Sequence, residues 1–152
     1  MSDLKDRLRA DLTTAMKARD SLRASTLRMV LTALTNAEVA GKQQRELGDD
    51  EVVGLLSTEA KKRREAAEAF ASAGRADSAA KERSEAEIIT EYLPEQLDVD
   101  EVRDLVAGTI AELGVGGDGM RAMGRVMGAL QPRVKGQADG AAVAAEVRRQ
   151  LG

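Results

Sequence analysis

The chain contains neither cysteine nor histidine. That removes a disulfide framework, a thiolate nucleophile, a Ser-His-Asp triad and any His/Cys zinc site. Aromatic residues are nearly absent too: Phe70 and Tyr92 are the only rings. Sandwiches and barrels lean on β-branched and aromatic side chains, so an apolar fraction carried by Ala, Leu, Val and Met favours an all-α fold. No run approaches the roughly 18 apolar residues that a membrane span needs. The opening MSDLKDRLRADL is charged throughout, unlike a secretory signal, and the expected location is cytoplasmic. Ser25, Ser57, Ser72 and Ser84 have no adjacent base, and no compact acidic cluster suggests a Mg²⁺ site. No catalytic residue, metal or cofactor is therefore expected.

What is present is charge and helical periodicity. Charged residues make up 32% of the 152, with a net charge of −3, which describes a salt-laced surface and not a general polycation. Leu4, Leu8, Leu12 and Met16 mark one face of a first helix over about Asp3 to Arg19, and Asp20 and Ser21 offer cap chemistry for a second. That second helix carries Leu22, Leu27, Val30, Leu31 and Leu34 and ends near Gly41. After a polar loop with Asp49 as the expected N-cap, a third helix places Val52, Leu56, Ala60, Ala67 and Phe70 inward, and Gly74 closes it. Arg63 falls within that apolar stripe. Glu59, one turn earlier, is its natural partner; the alternative is a recessed anion contact. A fourth helix ends before Pro94, and Tyr92–Leu97 reads as a packed junction, dividing the chain into residues 1–93 and 94–152.

Beyond the junction, Asp98 and Glu101 form a capping-box start for a fifth helix that Gly114 ends. The glycine-rich Val115–Gly119 has no preceding strand and no following Gly-Lys-Ser/Thr, so it reads as a flexible turn and not as a phosphate loop. A sixth helix holds Gly124 and Gly128 among Met123, Val126, Met127 and Leu130, and Pro132 is its expected stop. The glycine pair costs roughly 1 kcal/mol per site in helix propensity, which implies close approach either of neighbouring helices or of a partner. A seventh helix starts at Asp139. From Met120 onward six basic residues face two acidic ones, and Arg121, Arg125, Arg133 and Lys135 form a candidate nucleic-acid backbone contact. With no aromatics there to stack bases, single-strand reading is not expected.

Several stretches resemble the YqeY-like proteins, which share their C-terminal domain with the GatB component of the glutamine-dependent Asp/Glu-tRNA amidotransferase. They are Ser25–Met29, Glu59–Glu65, Tyr92–Leu97, Met123–Gly128 and Pro132–Gly140. The resemblance implies a four-helix N-terminal unit followed by a small three-helix C-terminal domain. It also implies a tRNA-associated role beside tRNA-charging or amidotransferase machinery. A carbon–nitrogen ligase label with glutamine as amido-N-donor would be inherited from the larger enzyme, whose catalytic parts have no counterpart here. Motif positions fall on Gly124, Met127, Gly128, Gly136, Asp139 and Gly140, taken as an interaction face with Asp139 as helix cap. The alternative function is a helical protein–protein interaction module without RNA.

Overall fold

The computed structural model describes residues 2–152. Among them are seven α-helices, one 3₁₀ turn and no strand. The helices are α1 (Asp3–Lys17), α2 (Ser21–Val39), α3 (Asp49–Ser72), α4 (Ala76–Thr90), α5 (Val99–Leu113), α6 (Met123–Val134) and α7 (Gly140–Leu151). The chain divides into two compact units, Met1–Leu93 and Pro94–Gly152.

In the first unit α1 packs on α2 and α3 on α4, around a core that includes Leu8, Leu27, Leu34, Leu56 and Ile89. Apolar periodicity explains most of this core, with two exceptions. Met16 is 51% exposed, and Ala15 is buried in its place. A spacing of four residues overruns a helical turn by about 40°, so after three steps the fourth member has rotated off the core face. Leu22, at the start of α2, is likewise exposed. Gly48, not Asp49, is the N-cap of α3. The Asp49 carboxylate instead accepts from the Ser2 hydroxyl and from the Leu4 N–H at 3.2 Å, joining the starts of α1 and α3. The polar loop after α2 is anchored by buried Glu38, which pairs with Lys5 and accepts the Leu47 N–H at 3.2 Å.

In the second unit α5 opens with the reciprocal Asp98/Glu101 capping box and closes on Gly114 in the left-handed region, φ 66°. The loop after it is not a free turn. Val115 is 1% exposed and joins the core of Val106, Val126, Leu130, Val143 and Val147. The 3₁₀ turn Gly119–Ala122 then leads into α6. Pro132 does not stop that helix but lies inside it, and the helix runs to Val134. Proline removes one N–H and crowds the carbonyl four residues back, which here belongs to Gly128. Only two residues follow Pro132, while buried Leu130 and Val134 hold the last turn against the core.

Candidate nucleic-acid interface

The inward face of α6 is Val126, Leu130 and Val134, with Met123 and Met127 packed partly beneath it. The other face carries Gly124, Arg125, Gly128 and Pro132, all exposed, with Arg121 one turn before Arg125. A Cβ built on Gly124, Gly128 or Gly140 meets nothing within 4 Å. Close approach of neighbouring helices, one of the two expectations from the sequence, therefore does not account for the glycine pair. The glycines leave a bare strip of helix backbone facing outward. Because Pro132 offers no N–H, the Gly128 carbonyl on that strip lacks its usual intrahelical donor. Gly136 has a separate reason to be glycine, since its φ is 75° in the turn between α6 and α7.

The four candidate cations differ in availability. Arg133 lies in the last turn of α6, not in the loop. Its guanidinium is held by α5, with one nitrogen 2.9 Å from Glu112 Oε2 and the other donating to Thr109 Oγ1 at 3.1 Å. Among the described residues Arg121 reaches the Asp118 carbonyl alone, at 3.4 Å. Arg125 and Lys135 are exposed and form no ion pair among the described residues. Lys135, the residue that caps α6, lies ten positions after Arg125, about 15 Å along the helix axis. At the end of α7, Arg149 is engaged by Glu146 through two bonds of 2.8 and 2.6 Å. Those bonds, and a further one from Gln150, hold the Glu146 carboxyl down to about 2.

Asp139 caps α7, accepting the Ala141 N–H at 3.2 Å. Two contacts that helical periodicity does not encode hold this corner together. The Gln96 amide donates to the Gly136 carbonyl at 2.6 Å, and the Leu97 N–H donates to the Gln137 carbonyl at 2.8 Å. Gln96–Leu97 and Gly136–Gln137, parts of two of the stretches that carry the family resemblance, thus meet within the second unit.

Arg63, in the first unit, is buried and already surrounded. Its Nε is 3.2 Å from Glu85, its Nη1 is 3.2 Å from a Glu59 carboxylate oxygen, and its Nη2 approaches Met29 Sδ at 3.8 Å. Glu59 is the partner that sequence spacing indicates; Glu85, 22 residues away, is the one it misses. Lys62 also reaches Glu59, at 3.2 Å, so two cations face two carboxylates.

The family profile of the YqeY-like proteins matches residues 5–151. The chain belongs to the YqeY-like family. Since the match crosses Pro94, both units are part of the family pattern. Comparison with curated proteins gave no match. No helix among the described residues of this YqeY-like chain is long and apolar enough to cross a membrane.

Proposed function

We propose that this YqeY-like chain is a non-catalytic, tRNA-associated accessory protein of the cytoplasm. In this reading a four-helix unit accompanies a three-helix unit that docks on the RNA backbone. The observation that carries it is the outward side of α6 and its flanks, where Arg121, Arg125 and Lys135 form no ion pair among the described residues and stand beside a strip of bare backbone. Such a face suits a shaped, phosphate-rich surface: the cations supply backbone contacts, and the glycines let the RNA approach closely. Arg133 is a minor contributor, because Glu112 already offsets its charge.

The test is a salt titration of binding to total tRNA. Three phosphate contacts give a slope of roughly −2.1 to −2.7 in log K against log salt, so affinity falls roughly 20- to 40-fold between 50 and 200 mM. Arg125→Glu with Lys135→Glu is expected to weaken binding at least tenfold and flatten the slope, whereas Arg133→Gln has a smaller effect. Absence of binding at low salt would sink the RNA reading. The exposed glycine face also supports a second reading, a protein-interaction module, which Gly128→Leu would disable with little dependence on salt.

A further inference from the structure

The second unit carries a groove that α6 does not line. It lies between the first turn of α5 and the side of α7 that runs from Ala142 to Arg149, and has a volume of about 450 Å³. Its floor is apolar: Leu97, Val99, Val102, Ala138, Ala142 and Ala145. Val99, the first residue of α5, is 84% exposed, the most solvent-accessible of the exposed large hydrophobic side chains, and it extends the Val102/Val106 stripe of its own helix out into solvent. Ala142 and Ala145 are also exposed, so α7 presents a shallow ridge of small residues three apart.

Around this floor stand Asp98, Asp139 and Glu146, with Arg149 as the one cation. Arg149 is balanced by Glu146, so the lining as a whole is net negative. The helix N-termini that Asp98 and Asp139 cap offset about half a charge each. The lining stays negative, and Glu95 and Glu101, exposed and flanking Asp98 in sequence, add to it, while Asp100 is paired with Arg103 at 3.2 Å. The polar groups at the groove are already engaged. The Gln96 amide donates to the Pro94 and Gly136 carbonyls, Asp98 accepts from Glu101 N–H, and Asp139 accepts from Ala141 N–H. A small polar ligand would therefore find few unmatched donors, whereas an apolar surface flanked by cations finds both complements.

We infer that the groove seats a basic amphipathic helix of a partner protein, with the partner's apolar stripe on Val99, Val102, Ala142 and Ala145 and its Lys/Arg side chains toward the Asp98 and Asp139 end. Small residues three apart on α7 admit a close helix crossing, and with no strand among the described residues there is no sheet edge to extend. This site is independent of the RNA-facing side of α6.

The probe is a synthetic Leu/Ala/Lys helical peptide with apolar residues at i, i+3, i+4 and i+7, titrated into isotopically labelled full-length chain and followed by amide chemical shifts. Expected are shifts centred on Val99, Val102, Ala142 and Ala145, and a loss of affinity of tenfold or more for a scrambled peptide or one with Glu in place of Lys. Ala142→Gln/Ala145→Gln, two exposed substitutions compatible with helix, is expected to weaken peptide binding by a similar factor and to leave tRNA affinity unchanged. Failure of the groove is thereby separated from failure of the RNA reading. Equal binding of the scrambled or acidic peptide, or shifts centred on Arg121–Gly128, would overturn the proposal. So would self-association of the chain that the double substitution abolishes, because the occupant would then be a second copy.

Discussion

On α3, two polar side chains turned inward have opposite relations to stability. Among the described residues the buried Ser57 hydroxyl has no hydrogen-bond partner, while neighbouring Thr58 donates back to the Gly54 carbonyl at 3.1 Å. A buried hydroxyl without a partner keeps its desolvation cost, and serine is a poorer helix former than alanine. Ser57→Ala is therefore expected to stabilise the chain by about 1 kcal/mol, read as a rise in the denaturant midpoint; a loss of stability would show that the hydroxyl has a partner. Arg63 is the reverse case. Its guanidinium satisfies Glu59 and Glu85 together, and the Glu85 side chain is only 6% exposed. Arg63→Ala would leave the Glu85 carboxylate buried without its counter-charge, while Glu59 keeps Lys62, at a cost of about 3–5 kcal/mol. A change below about 1 kcal/mol would mean that the pair is solvated. The inward position of Arg63 and its Glu59 contact were legible from a spacing of four. Glu85 was not, because its place depends on how α4 lies against α3.

At the scale of the element, α6 keeps two glycines that its own unit does not require. Neither has a positive φ, and a Cβ at either site finds open space. Gly124→Ala and Gly128→Ala should each stabilise the helix by up to about 1 kcal/mol, and the double variant should melt higher than the parent. If the bare strip is a contact surface, the same double variant should bind its partner less well, so stability and binding move in opposite directions. Unchanged binding would remove the glycines from the interface and leave only the cations. Helix identity was legible because a period near 3.6 is written locally, in Leu8, Leu27, Val30 and Leu34 as in Val102 and Val106. Caps were legible where the motif is local, as at Asp98, Asp139 and Gly114. What failed was what neighbours decide. Arg133 is tied to Glu112 across 21 residues, and the groove exists only because the start of α5 and the side of α7 come together.

For the whole molecule, the absence of histidine and cysteine has a thermodynamic consequence. No side chain with an ordinary pKa between about 5 and 8 is present to link proton binding to folding, so stability should be nearly flat from about pH 5 to pH 9. The limits are set by groups whose pKa changes on folding. Glu146 is held down to about 2 by its bonds from Arg149 and Gln150, and Glu38 is lowered by its bond from Lys5 and by the Leu47 N–H. Each favours the folded state above the unfolded carboxylate value of about 4.3, and that contribution disappears as pH falls through the folded value. Tyr92 sets the alkaline limit. Burial, and then its hydrogen bond to Asp11, raise its phenol above the ordinary value of 10.0, so the folded state keeps the proton longer. Its contribution is complete below about pH 10 and is lost as pH rises from there toward the folded value. Because Tyr92 is the only tyrosine and tryptophan is absent, phenolate absorbance reports this one group in both states. Native chain should titrate well above denatured chain, and denaturant midpoints should fall on both sides of the plateau. Tyr92→Phe should soften only the alkaline fall, and Glu146→Gln only the acid one. Coincident native and denatured phenolate titrations would show that Tyr92 is solvated and that the first unit opens around α1 and the end of α4.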